Sequence, residues 1–329
     1  MNKKSKAWAV FLAFGAGTLV SLALFMFLGN PFISPSKIFS PTHSLDHVLL
    51  FKARLPRLLL GVFVGMGLST SGVSFQALLA NPLADPYILG ISGGAALGAV
   101  VGLALGLPPV MVTLLAFGFA LGSLVLIYSL AQVDGRLPTH RLLLTGVMFN
   151  AFAFALILFV HALLQMSRSH EVFYLLLGSL EVHSWGTVLI VGGVTLFGCI
   201  LLFSQSSKMN MIAIGEETAA SLGVNVGRTQ KIIFLASSLV VGASVSVTGL
   251  IGFVGLFIPH VMRLIFGSDH RVLIPASALG GSIFLLCCDF VARTLFSGET
   301  VQTQLPIGVI TALIGGPFFL FLLKKNARS

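Results

Sequence analysis

Charged side chains are scarce in this sequence: only 9% of its 329 residues are Asp, Glu, Lys or Arg, whereas soluble domains carry roughly 25%. Apolar residues make up 56% of the chain, and the mean hydropathy is +1.02. This composition excludes a soluble globular protein. Apolar runs close to the length that crosses ~30 Å of hydrocarbon recur from end to end, so the sequence predicts an all-α polytopic membrane protein in a lipid bilayer.

Several motifs of familiar chemistry are also missing. No Gly-Lys dipeptide occurs, so the chain has no P-loop for ATP, and no H-E-x-x-H zinc motif is present. The three cysteines lie inside apolar runs without metal-ligand spacing, so no metal site is expected. The formal charge of +9 does not indicate nucleic acid, because the basic residues lie between apolar runs and near the ends of the chain.

We predict ten membrane spans in a single transmembrane domain covering residues 1–329, the first being a retained helix rather than a signal peptide. Pro259, His260 and Arg263 interrupt the eighth span, which is expected to be a short or broken helix. The predicted spans are 8–28, 57–79, 87–106, 110–130, 141–166, 187–204, 230–248, 250–266, 272–295 and 306–323.

The distribution of basic residues predicts the orientation. With the N-terminus inside, thirteen of the 19 Lys and Arg residues fall on the inner side and six on the outer side, so both termini are expected in the cytoplasm. Arg54 and Arg57 lie on the outer side, where basic residues are scarce. They therefore call for a functional explanation.

Spans two and seven end alike. Span two runs through Gly72 and small residues into a proline-containing turn, and span seven runs through Gly249, Gly252 and Gly255 towards Pro259. Two halves of five helices each would have opposite orientations, as in inverted-repeat transporters. The sequence therefore predicts inverted five-helix halves.

The longest inner segment, residues 205–230, contains a short helical pattern. Helix formers stand between Gly215 and Gly223, and Glu216 and Glu217 lie in the first turn, where the helix dipole favours acids. The spacing of Ala219, Leu222 and Val226 predicts a narrow apolar face. We call residues 205–230 the coupling segment and expect its helix to dock on a partner.

Only one acid, Asp289, lies well inside an apolar run. Arg293 follows four residues later, so the two are expected to pair on one helix face, either as a plain structural pair or in a working role.

The outer end of span five carries a polar cluster that either faces water or contacts a metal complex. Its members are His161, Gln165, Met166, Arg168 and His170.

Gly90-Ile91-Ser92-Gly93-Gly94 matches the nucleophile pattern G-x-S-x-G, which requires a strand before it and a helix after it. A turn precedes it here, so close helix packing by small residues is favoured. An intramembrane protease using Ser92 and a secondary carrier remain the alternative classes.

Seven stretches in order along the chain resemble the FecCD-type permeases of ATP-binding-cassette (ABC) importers for iron chelates, haem and cobalamin. They are Arg54-Leu55-Pro56-Arg57; Gln76 with Asn81-Pro82-Leu83-Ala84-Asp85-Pro86; Leu89-Gly90 with Gly93-Gly94-Ala95; Gly215-Glu216-Glu217 with Ala219 and Leu222-Gly223; Phe253-Val254-Gly255-Leu256 with Pro259-His260 and Arg263; Asp289 with Ala292-Arg293; and Leu305-Pro306-Ile307-Gly308 with Gly315-Gly316-Pro317-Phe318.

The resemblance implies a non-catalytic transport subunit in a bacterial plasma (inner) membrane. Its implied partners are a second permease subunit, identical or different, two cytoplasmic ATPase subunits that hold ATP and Mg, and an extracytoplasmic substrate-binding protein. No cofactor is implied on this chain. The implied cargo is a metal chelate, with ferric siderophore first and cobalamin or haem as alternatives.

The resemblance also implies roles for particular residues, none of them catalytic or metal-binding. Arg54, Arg57 and Arg293 match outer arginines that dock the binding protein. Gln76, Asn81, Pro82 and Leu83 match the translocation pathway and its inner gate. The residues that match the helix coupled to the ATPase are Gly215, Glu216, Glu217, Ala219, Leu222 and Gly223.

Overall fold

The computed structural model describes residues 3–28, 32–34, 45–164, 166–182, 184–295 and 305–326. Across these residues the regular structure is helical, apart from an isolated bridge between Val133 and Arg136. The predicted all-α fold is confirmed. We call the end of the bundle that holds Arg57 the outer end, and the opposite end, which holds the coupling segment, the inner end.

The helices vary in length from 4 to 25 residues. A π-helical turn, Leu49–Arg54, joins α2 to α3, and a 3-10 helix, Pro86–Leu89, precedes α4. The helix bounds are α1 Lys3–Phe27, α2 Leu45–Val48, α3 Leu55–Leu78, α4 Ile91–Ala104, α5 Pro109–Ala131, α6 Thr139–Leu163, α7 Met166–Leu177, α8 Trp185–Ser204, α9 Ser206–Ile212, α10 Glu216–Ser221, α11 Val226–Thr248, α12 Val254–Phe266, α13 His270–Thr294 and α14 Ile307–Asn326.

Six helices are long and apolar enough to cross a membrane: Leu45–Leu78, which runs through α2 and α3, together with α5, α6, α8, α11 and α13. Shorter apolar helices cover Leu12–Phe27, Ile91–Ala104, Val254–Phe266 and Ile307–Phe321. Each predicted span overlaps one of these helices. The count of ten crossings stays a prediction, because the shorter helices fall below the spanning length within the described residues.

The eighth span is short, which is the first of the two expected forms: α12 has 13 residues and runs unbroken from Val254 to Phe266 with Pro259 inside it. Pro259 has no N–H to bond the carbonyl of Gly255, four residues earlier. This carbonyl packs against Gly72 of α3 instead. Helix α7 was not expected, because the apolar pattern did not indicate an additional helix after span five.

Helix α3 forms the centre of the bundle. It packs against α8, α11, α12 and α13, and most of its residues are buried. Close approach depends on glycine: a Cβ atom at Gly65 would collide with the backbone of Gly281, and one at Gly72 with that of Gly255. The central position of α3 lets its two ends reach both surfaces of the bundle.

Two chain breaks, residues 79–90 and 249–253, enter the bundle from opposite ends. After the first break, α4 begins with Ile91 beside Gly242, in the interior of α11. After the second, α12 begins near Gly72, in the interior of α3. Both are short, with 14 and 13 residues. Discontinuous helices at equivalent places in the two halves are typical of inverted-repeat transporters, as the similar ends of spans two and seven predicted.

Candidate functional site

The three arginines expected to dock a partner lie together at the outer end, where Arg54 is the most buried, at 7% exposed. Its Nη1 donates hydrogen bonds to the carbonyl oxygens of Met26 and Phe27, at 3.1 and 3.2 Å. These are among the last carbonyls of α1, which have no partner within their own helix and attract positive charge. Arg54 therefore caps α1, and its docking role stays a prediction.

A buried carboxylate joins the other two arginines. Asp289 Oδ1 accepts a hydrogen bond from Arg57 Nε and Oδ2 accepts one from Arg293 Nε, each at 2.8 Å. The Asp289 side chain is 1% exposed, against 18% for Arg57 and 12% for Arg293. The expected pairing of Asp289 with Arg293 is confirmed. We call Arg54, Arg57, Asp289 and Arg293 the outer arginine cluster.

The contact between Arg57 and Asp289 was not predicted. It joins α3 to α13 across 232 residues of sequence, whereas the pattern that indicated Arg293 spans one helical turn. The sequence held one indirect signal. An acid inside an apolar run, such as Asp289, usually pairs with a basic residue, and Arg57 was predicted on the same side of the membrane as Arg293.

Gln76 lies at the inner end of α3, is 3% exposed, and anchors the turn that follows. Its Oε1 accepts a hydrogen bond from Arg263 Nη2 at 2.8 Å, and its Nε2 donates to the carbonyl oxygen of Ala84 at 3.5 Å. We call residues 81–86 the inner turn. Its base is thus tied to α3 and, through Arg263, to α12. The exposed tip consists of Asn81, Pro82 and Leu83.

Tyr87 connects the two chain breaks in the middle of the bundle. Its hydroxyl accepts a hydrogen bond from the N–H of Ile251 at 3.0 Å, and its carbonyl accepts one from Asn150 Nδ2 at 2.7 Å. Asp85 Oδ1 accepts the N–H of Tyr87 at 2.8 Å. Since unsatisfied backbone groups are costly inside a membrane, these contacts stabilise both breaks. They also tie the first break to the second and to α6.

The short helix of the coupling segment is present as α10, Glu216–Ser221. Gly215 and Gly223 flank it with φ of 149° and 85°, and the N–H of Val224 bonds the carbonyl of Ala219 at 3.0 Å, which closes its C-terminal end. The three residues of the expected narrow apolar face lie in different surroundings: Ala219 and Val226 are buried, whereas Leu222 lies in the turn after α10 and is 60% exposed.

Two side-chain contacts tie the coupling segment to the long helices. Gln230 Nε2 on α11 donates to Glu216 Oε1 at 2.9 Å. Asn210 on α9 donates from Nδ2 to Asp269 Oδ1 at 2.7 Å, at the start of α13. Glu217 is exposed and available to a partner. Sequence reasoning missed Asn210, Gln230 and Asp269, since single polar residues near helix ends are common in membrane proteins.

Burial of Asp269 opposes its ionisation, but the hydrogen bond from Asn210, the backbone N–H of Arg271 and the positive charge of Arg271 outweigh it. The pKa of Asp269 therefore lies below its ordinary value. A lowered pKa means that this carboxylate stabilises the fold above its unfolded-state pKa, and that the contribution is lost as the pH falls through the folded-state pKa. The tether between α9 and α13 is thus intact at neutral pH.

Two cavities lie at the ends of the bundle. One of about 690 Å³ at the outer end is lined by the α4–α5 connection, α7 and the end of α11, with Leu107, Tyr174 and Thr248 in its wall. The other, of about 550 Å³, lies at the inner end between the turn at Gly135 and α10, and Glu216 and Glu217 form part of its wall.

The alternative chemistries find little support in the geometry. Ser92 is 3% exposed, and its Oγ donates to the carbonyl oxygen of Tyr87 at 3.3 Å. No group of three or more His, Cys, Asp or Glu placed to hold a metal occurs in the described ranges. In the cluster at the end of span five, the His161 ring packs edge-on against Phe173, and the side chains of residues 165–168 lie outside the described part.

An all-helical membrane bundle with two inward breaks of opposite direction, a charged outer cluster and an anchored inner turn defines a membrane transport protein. The chain belongs to the FecCD transport family, whose model matches residues 17–325. The chain is thus a permease subunit of an ABC importer, as the sequence motifs predicted.

Three curated relatives are similar over most of their length. The cobalamin import system permease protein BtuC of Halobacterium salinarum is 42% identical over 285 residues, covering 85% of this chain and 74% of the relative. The hemin transport system permease protein HmuU of Yersinia pestis is 38% identical, covering 96% and 93%. A siderophore transport system permease protein of Bacillus subtilis, YfhA, named as probable, is 34% identical, covering 99% and 97%.

A solved structure is similar over almost the entire fold. A metal-chelate type ABC transporter in an inward-facing conformation superposes with a TM-score of 0.85 at 27% identity, covering 96% of this chain and 99% of the other. The permease fold predicted from the resemblance is therefore confirmed.

Proposed function

We propose that this chain forms the membrane pathway through which an ABC importer takes up a metal chelate. The observation that carries the proposal is the connection of the two chain breaks through Tyr87 and Ile251, because it links the inner turn to a segment that opens towards the outer end. Alternating access needs an inner and an outer gate that respond to each other. A direct hydrogen bond between the two breaks meets that need.

We place the cargo in one chemical class, the metal chelates. The names of the relatives support three kinds of chelate within it. The relatives are named for cobalamin, hemin and siderophore transport. The family resemblance favoured a ferric siderophore. The relative with the highest identity of the three is a cobalamin permease, so we place cobalamin beside the siderophore as a first candidate and keep haem as the next.

The partners follow from the two surfaces. We assign the outer arginine cluster to a substrate-binding protein and the exposed side of α10, with Glu217 and Leu222, to an ATPase that supplies ATP and Mg. A working importer would contain two such ATPases and a second permease subunit, identical or different. Support for the last assignment comes from α6, in which few residues are buried, so that most of its apolar surface is left for lipid or another subunit.

We also propose that the chain is a single transmembrane domain of a bacterial plasma membrane, with both termini in the cytoplasm. The placement of α9 and α10 at the end opposite Arg57 supports this orientation, because the coupling segment is the longest of the segments that the distribution of basic residues places inside. Tagging the two ends of the chain and testing protease access in inverted vesicles would check it.

Uptake in proteoliposomes tests the proposal. The chain is reconstituted with its ATPase and binding protein, and accumulation of cobalamin, ferric siderophores and haem is measured with ATP inside and without it. Accumulation of one of these chelates only with both ATP and the binding protein is expected. Binding of the same chelates to the binding protein alone identifies the cargo independently.

A secondary carrier is the alternative from another class, and it predicts uptake that follows an ion gradient without ATP. Such carriers usually place free carboxylates in the membrane to bind the coupling ion. Here the buried acid Asp289 is engaged by Arg57 and Arg293 through both of its oxygens. An intramembrane protease would instead react at Ser92 with a fluorophosphonate probe. Because the Ser92 hydroxyl is buried, we expect no labelling of Ser92.

A further inference from the structure

The cavity of about 550 Å³ at the inner end lies between two segments that are distant in the sequence. One wall is the coupling segment. The other is the connection between α5 and α6, where Val133 and Arg136 form the isolated bridge, and we call residues 133–136 the bridge turn. No partner contact has been assigned to the bridge turn, so its place in this wall needs an explanation.

The bridge turn is held in one shape by its own backbone. The N–H groups of Val133 and Arg136 each bond the carbonyl oxygen of the other residue, at 3.0 and 2.9 Å. Between them, Asp134 and Gly135 have φ of 48° and 76°, a conformation that glycine adopts freely and aspartate tolerates better than most residues. Asp134 and Arg136 are therefore presented from a fixed backbone.

The bridge turn also packs directly against the coupling segment. A Cβ atom at Gly227 would meet the carbonyl oxygen of Gly135 at 2.9 Å, so glycine at position 227 allows the two backbones to approach. One helical turn further on, Lys231 Nζ of α11 lies 5.1 Å from the centroid of the Tyr128 ring of α5, a distance at which a cation and an aromatic face attract each other. The two walls of the cavity thus form one continuous surface.

Charges of both signs surround the cavity. Glu216 is already engaged, because its Oε1 accepts the hydrogen bond from Gln230. The other four charged side chains make no hydrogen bond or ion pair within the described part of the protein. Water solvates these charges here, and a partner with complementary charges would replace it. The four are exposed and come from both walls: Asp134, Glu217, Arg136 and Arg228.

The mixture of charges indicates what kind of partner fits. A metal ion would need several acids or histidines close together, and the residues that the structure describes contain no such group of three or more. A phosphate-like anion would be repelled by Asp134 and Glu217, which share the cavity with the two arginines. A protein surface can carry an acid and a base side by side and pair with both walls. The cavity is therefore suited to a protein segment.

The position of the cavity selects the protein. Glu217 lines the cavity and also belongs to the exposed side of α10 assigned to the ATPase, so the cavity continues that surface. We propose that the bridge turn and the coupling segment form one docking surface, and that a segment of the ATPase with a basic and an acidic side chain enters the cavity between them. This inference rests on the proposed role of α10, and it adds a direct contact between the ATPase and the connection of α5 to α6.

Neutralising the bridge turn tests the proposal. The double variant Asp134→Asn, Arg136→Gln keeps the net charge of the turn, and asparagine tolerates the positive φ at position 134. When the permease in lipid nanodiscs is titrated with the purified ATPase, the dissociation constant of the double variant should be about tenfold higher. The difference should shrink at high salt, because screening weakens contacts between exposed charges. An unchanged dissociation constant would overturn the proposal.

Arg141→Gln is the matched control. Arg141 is exposed near the start of α6, at the same end of the bundle, but it does not line the cavity. Its neutralisation should leave the dissociation constant unchanged. A rise equal to that of the double variant would show that the inner end attracts the ATPase only through its general charge, and would also overturn the proposal. Thermal unfolding of each variant in detergent reports whether it is folded.

Cysteine labelling provides a second test that does not depend on charge. Arg136→Cys is treated with a membrane-impermeant maleimide with and without the ATPase, and the unaltered chain gives the background. At an ATPase concentration about ten times the dissociation constant for that variant, the labelling rate should fall about tenfold. Glu181→Cys, at the outer end, should react at the same rate in both conditions. Equal labelling of Arg136→Cys in both conditions would contradict a contact at the bridge turn.

Leu222→Asp separates this inference from the proposed function. Weaker assembly is expected both in Leu222→Asp and in the double variant of the bridge turn. If only Leu222→Asp weakens assembly, the role of α10 stands and that of the bridge turn falls. If neither variant weakens assembly, the proposed contact between the coupling segment and the ATPase falls as well.

Discussion

At the outer end, Asp289 is 1% exposed and its partners come from two helices, whereas at the inner end Leu222 is 60% exposed beside a helix of six residues. The outer arginine cluster is bound into the bundle, where the side chains of Arg57 and Arg293 are only 18% and 12% exposed. The coupling segment instead exposes Glu217 and Leu222, the residues proposed to contact the ATPase, and is tied to the bundle at its base by Gln230 and Asn210.

The two surfaces are therefore suited to different tasks. A docking site for a soluble partner gains specificity from charges held in fixed positions, and buried pairing supplies that rigidity. A coupling element has to move with its partner, so it is short, flanked by glycines and attached through a few hydrogen bonds. Substitutions at the outer end should therefore affect stability and docking, whereas those at the inner end should affect assembly and coupling.

Removing both arginines should have the largest effect. Arg57→Leu with Arg293→Leu leaves Asp289 buried without its ion pairs, which is expected to destabilise the protein by about 3–5 kcal/mol. Thermal unfolding in detergent measures the loss. The triple variant that adds Asp289→Leu should regain most of the stability and still fail to respond to the binding protein. A triple variant that stays as unstable as the double would contradict the ion-pair explanation.

Gln76→Leu should come next. It removes the acceptor of Arg263 and the donor to Ala84, and an unsatisfied buried group costs about 1–3 kcal/mol. Because the inner turn loses its anchor, ATP hydrolysis should continue while chelate uptake per ATP falls. Gln76→Glu, which keeps an acceptor for Arg263, is the matched control and should retain more uptake. Equal uptake in Gln76→Leu and the unaltered chain would show that the anchor has no part in gating.

Leu222→Asp is expected to weaken association with the ATPase by about tenfold, or about 1.4 kcal/mol, because it places a charge on an exposed apolar contact. Stability should change by less than about 0.5 kcal/mol, since the side chain is on the surface. Co-purification of the ATPase measures the first effect and thermal unfolding the second. Ser221→Ala, at the exposed last residue of α10, serves as the control.

The smallest effect is expected for Gln230→Leu, which breaks the tether between α10 and α11. The net loss of one hydrogen bond is about 0.5–1.5 kcal/mol, so assembly should persist and the ratio of transport to ATP hydrolysis should fall a few-fold. Measuring both rates in the same proteoliposomes gives that ratio. An unaltered ratio of transport to ATP hydrolysis would show that the hydrogen bond between Gln230 and Glu216 has no mechanical function.

Local signals predicted the inner end better than the outer end. Gly215, Gly223 and two acids in the first turn were enough to place α10, because helix ends are determined by neighbouring residues. The exposed position of Leu222 was not predicted, since the helix ends at Ser221 and the spacing rule assumed that it continued. The pairing of Asp289 with Arg293 followed from helical spacing in the same way.

Contacts between distant segments were beyond such signals. Nothing in the sequence near Arg57 indicates Asp289, and nothing near Gln76 indicates Arg263 as its hydrogen-bond partner. Local signals also left open whether the eighth span is short or broken at Pro259, because the contact of the Gly255 carbonyl with Gly72 on α3 is tertiary. Apolar runs located the helices because the requirement to cross hydrocarbon acts on each run separately.

ATP hydrolysis by the assembled transporter, with and without the binding protein, tests the division between the two ends most directly. The triple variant Arg57→Leu, Arg293→Leu, Asp289→Leu should hydrolyse ATP at the basal rate and show no stimulation by the binding protein. Leu222→Asp should lower both the basal and the stimulated rate, because less ATPase is assembled with the permease. Full stimulation of the triple variant, or normal hydrolysis and assembly in Leu222→Asp, would contradict this account.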